Sequence, residues 1–335
     1  MSNAELVMGL LVTTMVLYGV FAGADFGGGV WDLFAFGERK TAQREAIAKA
    51  IGPVWEANHV WLIFAVVIVF GCFPPAFSAV SIALFAPLHL IVLGIVLRGA
   101  AFVFRSYGAR AQAASWGAVF GAASVITPWL MGAALGALAG GRIRVDGVRV
   151  VSDTGAWLSA MPMALGAFAL AICAYQAAVF LCLETEGALR EDFRLRALAS
   201  GTMVVGLSVV VPGLLSVQAP HVLLGLKSGL ASPVILLGVV ASLVSGAALW
   251  SRRFVLARRA SVLQTAALIA GWSIAQRPHL IYPDVTLANA QASEQTLRAV
   301  LWSTPVGMAV LVPSLALLYW VFKGKPSAPE PSDSH

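Results

Sequence analysis

The sequence predicts an all-α integral membrane protein of nine transmembrane helices, and three observations carry that expectation. Of 335 residues, 59% are hydrophobic. Only 11% are charged, against roughly 25% in an ordinary soluble domain. The mean hydropathy is +0.85, and the charges cluster between apolar stretches long enough to cross a bilayer. A soluble enzyme is excluded, and ten Trp with seventeen Phe exclude a disordered chain. The net charge of +6 and pI near 9.5 point to loop charge, because the basic residues scatter among short loops; no nucleic-acid partner is expected.

A hydrocarbon core about 30 Å thick needs roughly 20 apolar residues of helix. Stretches of that kind, bounded by charges, Pro or Gly clusters, run 6–34, 54–73, 79–104, 116–139, 158–183, 198–218, 233–251, 260–277 and 299–322. The first carries acidic Glu5 where a signal peptide has a basic start, and its apolar run exceeds a signal's length, so it is read as a retained span. The first and third are long enough to tilt. Sixteen of the 22 Lys and Arg fall in alternate loops, at Arg39 to Lys49, Arg98 to Arg110, Arg190 to Arg196, Arg252 to Arg259, and Lys323 with Lys325. Those loops are cytoplasmic, which puts the N-terminus outside and the C-terminus in the cytoplasm. No repeat of fixed period is visible. Residues 1–325 read as a single polytopic membrane domain, and 326–335, Pro/Ser-rich and acidic, as a disordered cytoplasmic tail.

Charged groups inside hydrocarbon are costly, so those present are candidates for function. Asp25 lies in the first span within GADFGGGVWD, and Glu56 opens the second within PVWEANHVWL. Gly23 and Gly27 have the small-xxx-small spacing of close helix contact. Glu56 and His59 stand three apart on one helix face, with Asn58 beside them as donor and acceptor. Carboxylate and imidazole both take up and release protons, so a cytoplasm-facing proton entrance is one reading. A structural ion pair between Glu56 and Arg98 is the other. Asp32, nearer the inner surface, is expected to be an exposed helix-end carboxylate.

Cys72, Cys173 and Cys182 lack any C-x-x-C spacing, so zinc, covalent haem and a disulfide scaffold have no ligand pattern. His59 and His89 sit at depths that differ by roughly 13 Å at 1.5 Å per residue, too far apart to share one haem. His221 and His279 fall at the outer surface, where solvated or capping roles are expected. Trp31, Trp55, Trp61, Trp116, Trp302 and Trp320 lie near span ends, as an interfacial belt requires. The outer segment 278–298 is long enough to cap the bundle or meet a partner. Glycines near Gly27 lie inside a span and not after a soluble strand, which rejects a nucleotide fingerprint.

Four segments carry a family likeness: ADFGGGVWDLF, GPVWEANHVWLIF, VLRGAAFVFRSYG and IYPDVTLANA. Together they resemble subunit II of the cytochrome bd quinol oxidases, including the cyanide-insensitive branch, along nearly the whole chain. The resemblance implies two four-helix bundles plus one peripheral helix, in a bacterial cytoplasmic (inner) membrane. It implies a haem-bearing partner, subunit I, holding two haems b and haem d, with no cofactor bound by this chain's own residues. Quinol and lipid are further implied partners, and a structural quinone and a small accessory subunit are compatible with the likeness. Asp25 and Glu56 match acids of the proton route, with Asn58 and His59 beside them. His59 stands where some members have Gln, so its ring is not required by the family's chemistry. Arg98, with Trp55, matches positions of a supporting ion pair or subunit contact. Some members carry a further acid just before the first motif; Phe21, Ala22 and Gly23 stand there, which puts a two-acid first helix in doubt. Two rival readings from other classes, a proton-coupled transporter and a purely structural membrane scaffold, are compatible with the same spans.

Overall fold

The computed structural model describes residues 2–51, 55–107, 113–153 and 155–323. The expected 326–335 tail and the side chains of Trp55 and Glu56 lie outside the described residues. The helices are α1 (Asn3–Leu33), α2 (Lys40–Ile51), α3 (Trp55–Cys72), α4 (Pro74–Ala83), α5 (Phe85–Tyr107), α6 (Ala113–Ala139), α7 (Ala160–Glu184), α8 (Gly187–Gln218), α9 (Pro220–Leu226), α10 (Ala231–Trp250), α11 (Phe254–Gln276), α12 (Leu287–Ala290) and α13 (Glu294–Lys323). Two antiparallel hairpins interrupt them: β1 (Ile143–Asp146) with β2 (Arg149–Ser152), and β3 (His279–Ile281) with β4 (Val285–Thr286).

Eight helices among the described residues are long and apolar enough to cross a membrane, and nine if the bent pair α3 and α4 forms one more span. That pair corrects the expected third span. Pro74 and Pro75 open α4, where their missing N–H groups cost nothing but prevent α3 from continuing. The chain turns by 115° there, and the next long helix begins at Phe85 instead of residue 79. α8 begins eleven residues before the expected 198, because Phe193, Arg196 and Ala197 continue its buried face below the apolar run.

α1 starts at a capping box, in which the Ser2 hydroxyl accepts from the Glu5 amide and the Glu5 carboxylate accepts from the Ser2 amide. It then packs against α3, α6, α7 and α11. Gly27 makes the closest approach: a Cβ there would collide with the Cys173 carbonyl of α7. α5 lies on α6, α6 on α7, α7 on α8, and α10 on α11. α13 rests on α1 and α3, and its apolar window has no buried residue.

The two ends of the helices are chemically different. At one, Arg39 of the α1–α2 connection forks onto Asp192 of α8 at 2.6 and 2.7 Å, and Arg196 donates to Gln43 of α2 at 2.7 Å. α10 also ends there, with Arg252 in the left-handed region at φ 58°. The Arg252 amide donates to the Leu249 carbonyl and that of Arg253 to Ala248, the paired bonds of a Schellman stop with arginine where glycine is usual. At the other end, Arg144 of β1 forks onto Asp284, which also accepts from the Val145 amide, and the Tyr282 amide donates to Leu138 of α6. The long segment 278–298 is therefore a cap on the helix ends. Arg144 and the Val145 amide hold the Asp284 carboxyl below the ordinary carboxylate range, the arginine hydrogen bond being the larger cause.

Candidate functional site

Asp25 is buried at 4% exposure on the face of α1 that meets α3. Its Oδ2 accepts a hydrogen bond from Nδ2 of Asn58, an amide that is itself buried. The two positions are 33 residues apart, so the contact depends on α1 and α3 lying side by side. The neighbouring His59 ring sits edge-on to Tyr18 and Phe26, with centroids 6.1 and 6.2 Å away. Gly27, Gly28 and Gly29 follow Asp25 on α1 and keep bulk away from the acid; a Cβ on Gly29 would strike Ser124 of α6.

Arg98 of α5 reaches the same interior, at 1% exposure. Its guanidinium lies 4.7 Å from the Phe26 ring and 5.2 Å from the Phe120 ring, an aromatic cradle that suits a desolvated cation. Nε donates to the Ser124 hydroxyl at 3.2 Å, while Nη1 and Nη2 meet no acceptor among the described residues. The charge of Asp25 acts on this guanidinium. Whether Glu56 joins the group lies outside the described residues.

Asp32 is a correction. The expected exposed carboxylate has a side chain only 1% exposed, and Oδ2 lies 2.8 Å from Nη1 of Arg105 on α5. α5 extends far enough past Arg98 to bring this second arginine over the end of α1. The aromatic belt is corrected in part as well. Trp61 is buried, and Trp31 donates to the Ala174 carbonyl at 2.7 Å beneath the Arg196 guanidinium, whereas Trp302 and Trp320 are exposed.

His89 is exposed on α5, with Nδ1 2.7 Å from the Phe85 carbonyl. His221 is half-buried and stacks on Tyr282 at 3.5 Å, with His279 at the ring's edge. Burial, followed by the charge of His279, pushes the His221 imidazole below its ordinary range. Among the described residues no three His, Cys, Asp or Glu side chains converge as a metal site.

Sequence reasoning singled out one neutral residue, Asn58, and missed others. Gln176 of α7 is fully buried and donates to the Val20 carbonyl of α1 at 2.8 Å, tying the two helices together beside Asp25. A lone amide within AYQAAVF was its signal, which a search restricted to charged residues passes over. Ser124, Phe26 and Phe120, which seat Arg98, carry no individual signal.

These features define a multi-pass inner-membrane protein whose charged groups are built into its helix interfaces. The family model for cytochrome bd terminal oxidase subunit II matches residues 3–322, and the chain belongs to that family. It is accordingly a subunit of an oxidoreductase complex. It is 22% identical over 333 residues to a cytochrome bd ubiquinol oxidase subunit 2 of Bacillus subtilis, covering 96% of both chains. With the cytochrome bd-I ubiquinol oxidase subunit 2 of Escherichia coli K12 it shares 28% identity over 206 residues, covering 59% of this chain and 53% of that one. A chain of the bd oxidase from Geobacillus thermodenitrificans has the same fold, with a TM-score of 0.82 at 21% identity, over 97% of this chain and 100% of that chain.

Proposed function

We propose that this chain is the haem-free subunit of a bd-type quinol:O2 oxidoreductase, stabilising a haem-bearing subunit I and lining part of the proton route from the cytoplasm. The names of its relatives support the complex, and the loop charge supports an outside N-terminus and a cytoplasmic C-terminus. In this reading α1, α3, α5, α6 and α7, α8, α10, α11 make the family's two four-helix groups, joined by the broad packing of α1 and α6 on α7, with α13 outside them. Quinol oxidation and reduction of O2 to water belong to the two haems b and the haem d of subunit I.

The observation that carries the proton reading is the Asn58 hydrogen bond onto buried Asp25 beside Arg98. An arginine kept purely for packing would have its donors satisfied. Nη1 and Nη2 of Arg98 are instead suited to ordered water, the medium of proton transfer through a protein interior. In this route Glu56, with His59 alongside, receives protons from the cytoplasmic end and Asp25 holds them at its carboxyl group. Asn58 fixes the Asp25 orientation, and Arg98 offsets its charge when the proton has left.

A structural quinone also has a place. A cavity of about 400 Å³ bounded mainly by α1, α3, α4, α6 and α11 is walled by apolar groups including Met15, Val69 and Met131, with Tyr18, Ser81, Ser273, Gln276 and His279 as its polar neighbours. Its volume and apolar lining suit an isoprenoid tail.

The test is purification of the complex through a tag on this chain, with haem spectra and quinol-dependent O2 uptake on the same sample. Asp25→Asn is expected to lower turnover at least about tenfold with haem content unchanged, and Asp25→Glu to restore much of it. Full turnover in Asp25→Asn would leave the acid a packing role. A stable, haem-free preparation without a partner would favour the transporter reading.

A further inference from the structure

Four arginines converge where the α7–α8 and α10–α11 connections meet. Arg190, Arg252, Arg253 and Arg259 line a surface cavity of about 480 Å³, and no carboxylate among the described residues lines it with them. Such convergence exceeds what topology requires, since orientation depends on the number of basic residues in a loop and not on their pointing into one concavity.

The arginines are held in place but their charges are largely unspent. Arg190 donates through Nε to the Thr185 carbonyl at 2.6 Å and lies 5.4 Å over the Phe254 ring. These contacts fix the guanidinium and neutralise nothing. Arg252 is 3.6 Å from Glu191, but that acid is already gripped by Arg194 at 2.6 to 3.0 Å. Arg253 and Arg259 are exposed and make no ion pair among the described residues. The adjacent Arg258 turns away over Phe180. The left-handed turn at Arg252 brings residues 252 and 253 to the corner. α11 begins there with no side-chain cap on its first-turn amides, which adds a favourable partial charge for an anion.

Apolar surface adjoins the cavity. Val255 and Leu256 form part of its wall and are 54% and 43% exposed, and Trp250 is exposed at the same corner. Phosphate oxygens match the arginine fork, and the apolar wall matches acyl chains. The loop is among those richest in Lys and Arg, the side that faces anionic lipid in a bacterial membrane.

We infer that this arginine cavity is a binding site for the phosphate headgroup of an anionic phospholipid. The site is separate from the Asp25 region and does not depend on the proton route. Anionic lipid bound there links the α7–α8 and α10–α11 corners through charges the protein leaves unmatched.

Native mass spectrometry of the detergent-purified complex tests it, titrating phosphatidylglycerol, phosphatidylcholine and inorganic phosphate separately. Phosphatidylglycerol is expected to bind at least fivefold tighter than phosphatidylcholine, with millimolar inorganic phosphate failing to displace it. The Arg253→Gln/Arg259→Gln variant is expected to weaken phosphatidylglycerol binding about tenfold, and Arg149→Gln/Lys227→Gln at the opposite end to leave it unchanged. Equal binding of the two lipids by the wild-type complex would overturn the proposal without need of a variant. Displacement by phosphate would make the cavity a free-anion site and would equally overturn it. Should the double Gln variant fail to assemble, Arg253→Lys/Arg259→Lys keeps the charge while removing the forks, and is expected to weaken binding by a smaller factor; unchanged affinity in every assembled variant refutes the assignment.

Discussion

Nη1 of Arg105 lies 2.8 Å from Oδ2 of Asp32, in a pair whose carboxylate is almost wholly buried and whose arginine keeps 25% of its surface. It fastens the end of α1 to the end of α5. Removing one partner of a buried pair leaves the other charge desolvated, which costs about 3–5 kcal/mol in full burial and less with a partly wet arginine. Arg105→Ala is therefore expected to lower the thermal midpoint more than Asp32→Asn, because the alanine strands a buried charge while the amide removes it. Cys72, Cys173 and Cys182 are buried and free, so a thiol-reactive dye on the heated complex reports unfolding directly.

Gly27 sets the separation of α1 and α7. Gly27→Ala is expected to destabilise the complex by about 1–3 kcal/mol, the usual range for overpacking. Gly9→Ala, whose new methyl group meets nothing within 4 Å, should leave the midpoint unchanged or slightly raised. The same melting measurement separates them.

How far the sequence reveals this architecture depends on the kind of interaction. The Gly23 and Gly27 spacing and the apolar runs are local, and they were legible because each depends on residues close in sequence. Asp32 was misjudged because its environment is set by Arg105, 73 residues away. Trp31 and Trp61 lie near span ends, yet a position along a helix does not tell which side meets another helix. Asp25 and Asn58 were legible as candidates by their polarity within apolar runs, but the hydrogen bond joining them depends on helix packing. Gln176 was hidden because, unlike Asn58, it stands alone in an apolar run with no charged residue or histidine nearby to draw attention to it.

Asn58→Ala is expected to lower oxygen-reducing turnover by a smaller factor than Asp25→Asn, since it removes the group that orients the acid and spares the acid itself. A factor of about three to ten corresponds to about 0.7–1.4 kcal/mol, the net worth of one ordinary hydrogen bond. Oxygen-electrode rates normalised to haem content check it. An effect as large as that of Asp25→Asn would mean the amide does more than position.

The 278–298 cap should loosen in acid. Asp284 has a folded-state pKa below its unfolded value of about 3.9. Its contribution to stability is thus present in full above that pH and is lost as the pH falls through the lower folded value. Hydrogen-exchange protection over residues 278–290, measured relative to the intrinsic rate at each pH, should fall below about pH 4 in the wild type, and in Asp284→Asn should be lower already at neutral pH with less added change in acid.

The hydrogen bond from Gln176 to the Val20 carbonyl joins groups 156 residues apart. At about 5–20 residues per second, the ribosome makes α7 roughly 8 to 31 s after the middle of α1. Throughout that interval the first helix carries its aspartate without its later neighbours. Its glycine-lined surface, made for close contact, is meanwhile a seat for whatever helix lies nearest. Biogenesis of this protein therefore includes a waiting period, in which the insertion machinery or the early neighbour α3 must shelter the acid until the second half of the chain arrives.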